Sequence, residues 1–87
     1  MDIEYDSAKD AANRTKHGVS LAVGLIVLEN RLGELPDDRR AYGEARVNAF
    51  GLVAERLFVC TYTMRGATFR LISVRKASRQ EQRLWLR

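Results

Sequence analysis

Eighty-seven residues at 46 % hydrophobic and 30 % charged describe one ordinary globular domain, 1–87, too small for two cores and too apolar for a disordered chain. The longest apolar run, Leu21 to Leu28, is far too short to cross a bilayer, and the N-terminus opens on acids rather than on a basic stretch followed by a hydrophobic one, so the chain reads as cytoplasmic. The net charge of +4 is uneven: residues 1–45 carry six Lys or Arg against nine acids, and residues 46–87 carry nine against two, which favours a polyanionic partner, nucleic acid first and an acidic protein second.

In chain order, Met1 to Tyr5 is a short candidate strand, and Asp6 or Ser7 offers an N-cap for a helix running to about His17 and stopped by Gly18. Lys16 and His17 occupy its last turn, where cations complement the helix dipole. Ser20 is a second N-cap, and SLAVGLIVLEN makes a short buried helix ending near Asn30, in which Gly24 marks close packing against a neighbour. Residues 31–43, RLGELPDDRRAYG, read as a polar connection without a core pattern. Asp37 and Asp38 are adjacent acids in a Pro-initiated turn, expected to face water, and no other ligand cluster accompanies them, so neither a metal nor a cofactor is expected. Three strands follow, Ala45 to Val53, Leu57 to Thr63 and Ala67 to Val74, joined by hairpin-length loops into an antiparallel meander. Val47, Ala49, Gly51 and Val53 share one face of the first, and Arg46, Asn48, Phe50 and Leu52 the other. Leu57 to Cys60 is continuously apolar, so the middle strand is buried on both faces and Cys60 is a buried small hydrophobe. A closing helix, Arg79 to Leu86, turns Leu84 and Trp85 toward a core or a partner.

The stretch FRLISVRKASRQEQ, Phe69 to Gln82, holds most of the functional information. Strict alternation puts Phe69, Leu71 and Ser73 on one face and Arg70, Ile72 and Val74 on the other. Arg75 and Lys76 end the strand, and Ser78 with Glu81 forms a capping box for the last helix. Cations at a strand end beside a helix N-terminus make a candidate phosphate site, against the plainer reading of a solvated basic surface.

Tyr5-Asp6 with Lys9 and Asn13, then Lys16-His17-Gly18-Val19, then Gly43-Glu44-x-Arg46 leading to Gly51, and finally Arg70-x-Ile72-Ser73-x-Arg75-Lys76-Ala77-Ser78 ahead of Glu81 follow one another in an order that resembles the BrnT family of bacterial type II toxins. The resemblance covers nearly the whole chain. It implies a RelE-like α+β domain, with two N-terminal helices and a C-terminal helix packed on an antiparallel sheet. It further implies a ribonuclease that arrests translation, a BrnA-type antitoxin as partner, and operator DNA bound only by the toxin-antitoxin complex. The chain departs from the family pattern at Ala45, where a second acid is frequent, at Val47, where a bulky residue is common, and at Trp85, which can stack on a base but cannot act as a phenol where a tyrosine is frequent.

Metal-free cleavage of RNA needs a base for the 2′-hydroxyl, cations for the charge gathered at phosphorus, and a donor for the leaving 5′-oxygen. Arg46, Arg70 and Arg75 are the expected phosphate clamp, supported by Lys76, and His17 or Glu81 is the expected proton-transfer group. Lys16, Arg65, Arg79, Arg83 and Trp85 are the expected RNA-binding side chains. The residues alone leave a rival open: a non-catalytic basic module that binds nucleic acid or an acidic partner.

Overall fold

A computed structural model describes residues 1–39 and 41–87; Arg40, one of the three arginines in the expected 31–43 connection, lies outside the described residues. The elements are β1 (Ile3–Glu4), α1 (Ser7–His17), a 3-10 turn (Leu21–Val23), α2 (Gly24–Glu29), β2 (Arg31–Pro36), β3 (Val47–Val53), β4 (Arg56–Arg65), β5 (Thr68–Lys76) and α3 (Arg79–Trp85). The strands form one sheet in the order β1-β5-β4-β3-β2.

The helix ends follow from their caps. Asp6 accepts from the Ala8 N–H at 2.7 Å, and Gly18, at φ 77°, takes the left-handed conformation that ends α1 without a Cβ penalty. Asp10 then ties α1 to the next segment, because its Oδ1 accepts from the Ser20 hydroxyl at 2.9 Å and from the Leu21 N–H at 2.7 Å. The Leu21 N–H is the main reason its carboxyl titrates below the usual range. Ser78 and Glu81 complete the expected capping box at α3.

Helices cover both faces of the sheet. The 3-10 turn and α2 pack with Ala49, Phe58, Cys60, Tyr62, Leu71 and Val74 on one face, while α3 lays Trp85 over Phe50, Leu57 and Val59 on the other. The expected division of β3 holds, with Gly51 turned toward α2, where a Cβ would stand 2.2 Å from the Val27 carbonyl oxygen. Gly24 marks the close packing expected of it: a Cβ there would meet Leu71 at 2.8 Å and Cys60 at 3.0 Å. Strand β4 is buried on both faces from Leu57 to Thr63, and burial pushes the Cys60 thiol up to about 12. Leu84, by contrast, is 53 % exposed, so only Trp85 of the expected pair reaches a core.

The sheet corrects three expectations. It is mixed rather than antiparallel: β1 runs parallel to β5, with Ile3 opposite Phe69 and Glu4 opposite Arg70. A parallel pair needs a long crossover, and nearly the whole chain separates these two strands. Second, Arg31–Pro36 is a strand, pairing antiparallel with β3 from Gly51 to Val47. It carries no apolar alternation because it is an edge strand that packs little, so β3's free backbone groups define it more than its own side chains do. Third, Asp37 is buried rather than facing water. Its N–H donates to the Arg46 carbonyl at 2.8 Å, and Arg39 grips both its carboxylate oxygens at 2.8 and 3.0 Å.

Candidate nucleic-acid interface

The site starts from a defect in β5. Tyr62 pairs with Leu71 but Thr61 pairs with Ser73, so one extra residue, Ile72, sits opposite the step between them. A bulge of this kind resets the alternation. Leu71 and Val74 therefore share the core beneath α2, which strict alternation forbids. The same reset brings Arg70 and Arg75, five residues apart, to one face: Arg70 pairs with Thr63 and Arg75 with Val59, two positions of equal parity on β4.

That face is the one α3 covers only in part. Thr61 and Thr63 lie on it, as do Asn48 and, by continued alternation, Arg46 and Arg65. Val47 pairs with Tyr62, so Arg46 comes level with Thr63 and hence with Arg70, two strand spacings or ~10 Å away at the backbone. Four residues of β4 separate the levels of Arg70 and Arg75, roughly 13 Å. Long guanidinium side chains can close much of both gaps. The threonines are tied into the sheet: Thr61 donates to Asn48 Oδ1 at 2.6 Å, and Thr63 to the Ala45 carbonyl at 2.7 Å.

Arg46, Arg70 and Arg75 are each already held by an acid. Arg75 makes a bidentate pair with Glu81 at 2.8 and 3.0 Å. Glu81 also accepts from the Ser78 N–H at 2.8 Å, and the Arg75 hydrogen bonds, more than anything else, bring its carboxyl down to about 2. Arg70 meets Glu4 at 3.4 Å, across the parallel pair. Glu44 pairs with Arg46, at 3.6 Å. The Arg46 guanidinium lies 3.9 Å from the centroid of the Tyr42 ring, and its Nε is buried without a hydrogen-bond partner among the described residues.

The remaining expected residues divide. Lys16 and His17 lie at the end of α1 beside the open edge of β5, outside the arginine row. His17 nevertheless feels Arg75: burial first, then the charges of Lys16 and Arg75, keep its imidazole below the ordinary histidine value. Lys76 pairs with Phe58 and so points to the face opposite Arg75. Arg83 lines the outer side of α3 with Gln80 and Arg87, and Arg79 is exposed in its first turn. Trp85 stacks on Phe50, centroids 4.8 Å apart, and its ring closes over Gly33, so the packing of α3 already occupies it. Asn48, Thr61 and Thr63 were not singled out from the sequence; two threonines spaced by two within an apolar strand were the available signal.

No curated protein matches the chain at a significant level. A family model described as the ribonuclease toxin BrnT of type II toxin-antitoxin systems matches residues 5–81, which span every side chain of the arginine face and its acids except Glu4. The chain belongs to the BrnT family of ribonuclease toxins of type II toxin-antitoxin systems.

Proposed function

We propose that this chain is a cytoplasmic endoribonuclease of RelE-like ancestry that cleaves RNA without a metal ion and so inhibits translation. A BrnA-type antitoxin neutralises it, and operator DNA is bound only by the two together. One observation supports the reading above others: the β5 bulge turns Arg70 and Arg75 to the same side as Arg46, with Arg70 level with Arg46 and Thr61 and Thr63 between the strand levels.

In this reading the scissile phosphate lies against Arg70 and Arg75, with Arg46 as a third cation. His17, neutral at pH 7 because its pKa is lowered, takes the proton of the ribose 2′-hydroxyl. The 2′-oxygen then bonds to phosphorus and the bond to the 5′-oxygen breaks. The imidazolium returns the proton to the departing oxygen, leaving a 2′,3′-cyclic phosphate and a 5′-hydroxyl. Both oxygens of Glu81 are engaged, so it orients Arg75 and is too weak a base to compete with His17. Lys76 adds charge from the far face, and Lys16, Arg65, Arg79 and Arg83 attract the strand. Trp85 serves by seating α3. The acids on the arginines give way as the pentacoordinate transition state gathers a second negative charge, against the single charge of a carboxylate.

The reading is tested by induced expression of wild type and Arg70→Ala in cells, with both proteins shown to be folded and equally abundant. Growth arrest and RNA loss with wild type, absent with the variant, are expected. Unimpaired growth and intact RNA with abundant, folded wild type would replace this reading with a binding module that does no chemistry.

A further inference from the structure

Arg46, Arg70 and Arg75 of the sheet face are each paired with a carboxylate, but the lysines around a second concavity are not. A cleft of about 210 Å³ lies between α1 and the open edge of β5, lined by Lys9, Asn13, Lys16 and His17 from the helix and Ile72 and Ser73 from the strand. Lys9 and Lys16 are seven residues apart, two helical turns, and so project from one side of α1. No acid lines the cleft, and none of the ion pairs among the described residues engages either lysine.

The cleft is rigid at its base. Beyond Arg70 no strand among the described residues pairs with the outer edge of β5, and the side chain of Asn13 takes that place, donating to the Val74 carbonyl at 2.9 Å and accepting from the Val74 N–H at 3.1 Å. It also donates to the Val19 carbonyl at 2.9 Å, which fixes the chain leaving α1. The bulge residue Ile72 and its neighbour Ser73 form the opposite wall, so the feature that aligns the arginines also shapes this groove.

We infer that the α1–β5 cleft is a phosphate subsite for the RNA strand, holding a backbone phosphodiester next to the one at Arg70 and Arg75 through Lys9, Lys16 and the Ser73 hydroxyl. This rests on the ribonuclease reading for the identity of the ligand. Uncompensated cations on a rigid concave floor are what a phosphodiester requires, and the proximity of His17 to Arg75 links the cleft to the arginine row. A strand crossing both would wrap the edge of β5.

The test uses a 2′-O-methyl oligoribonucleotide, which lacks the nucleophile and cannot be cleaved, with the full chain and the Lys9→Ala/Lys16→Ala double variant. Both lysines are exposed, and circular dichroism checks that the variant folds. One phosphate neutralised on a single strand contributes about 0.7 to the slope of log binding constant against log salt, so the variant's slope should be shallower by about that amount. In the wild type, the His17 ring resonances followed by NMR should shift when the oligonucleotide binds, because the ring lines the cleft. An unchanged slope, unmoved His17 resonances, or failure of the oligonucleotide to bind overturns the subsite. His17 resonances displaced by an acidic peptide but not by the oligonucleotide would overturn it in favour of a protein ligand. Cleavage of ordinary RNA by the wild type is scored separately. Cleavage with an unchanged slope removes the subsite alone, and the full slope change without cleavage removes the ribonuclease reading alone.

Discussion

Asn13 is the side chain whose loss should be felt most out of proportion to its size. It is 5 % exposed and makes three hydrogen bonds that join α1, the segment after it, and the unpaired edge of β5. Asn13→Ala removes all three and leaves two carbonyls and one N–H short of a partner. At ~1 kcal/mol for each net hydrogen bond the cost is about 3 kcal/mol, before any penalty for groups that water cannot reach. With a urea m-value of ~1 kcal/mol/M for a domain of this size, the midpoint should fall by roughly 3 M with the slope unchanged. Asn13→Asp separates geometry from volume. It keeps the acceptor for the Val74 N–H but turns a carboxylate toward two carbonyl oxygens, which raises its folded pKa. A raised folded pKa contributes stability that is present at low pH and is lost as pH rises through it, so this variant should approach wild type near pH 4 and fall away by pH 7. A loss below 1 kcal/mol for Asn13→Ala, or an Asn13→Asp variant whose deficit does not change with pH, would refute the role assigned to this side chain.

Three further outcomes follow from the same contacts. Glu81→Gln should cost roughly 1 to 2 kcal/mol at pH 7, a discounted share of the ~3 kcal/mol that its lowered pKa implies, because the pair is partly solvated; since the folded pKa is depressed to about 2, the deficit should vanish in chemical denaturation as pH falls from 4.5 toward 2. Ala54 and Glu55 form the two-residue β3–β4 turn with φ of 48° and 67°, a left-handed pair that costs about 1 kcal/mol or more per non-glycine residue, so Glu55→Gly should raise the melting temperature by ~4 °C or more. Gly51→Ala forces a methyl within 2.2 Å of the Val27 carbonyl oxygen, where backbone must move, and a destabilisation of about 3 kcal/mol or failure to fold is expected by thermal melting.

Local rules carried the sequence reading as far as local causes reach. Asp6, Gly18, Ser20 and Ser78 punctuate the helices where their side chains or φ values act within a few residues, and the β3 division follows from period two alone. Strand β2 was missed because its cause is non-local: Gly33, Glu34 and Pro36 have little strand propensity, and they become a strand only because β3 offers an open edge. Asp37 was misplaced for the same kind of reason, its partners Arg39, Tyr42 and the Arg46 backbone being gathered by the return of the chain. At the site, the arginines were legible as residue types, but their common face was not. Period two puts Arg70 and Arg75 on opposite faces, and nothing in FRLISVRK announces that Ile72 is surplus. Trp85 was read as a base-stacking group because exposure cannot be seen in a sequence, and Gly33, the residue that makes room for its ring, lies far from it in the chain.

In the proposed reaction the face carrying Arg70 and Arg75 cleaves RNA by chemistry that needs no metal. Purified chain incubated with RNA in the presence of a chelator puts this to the test, with wild type compared with Arg70→Ala and Arg75→Ala after each is shown to be folded. Cleavage that survives the chelator, leaves 2′,3′-cyclic phosphate ends, and drops by about a hundred- to a thousandfold in either variant is the predicted result. Folded wild type that leaves RNA intact, or variants that cut as fast as wild type, would contradict it.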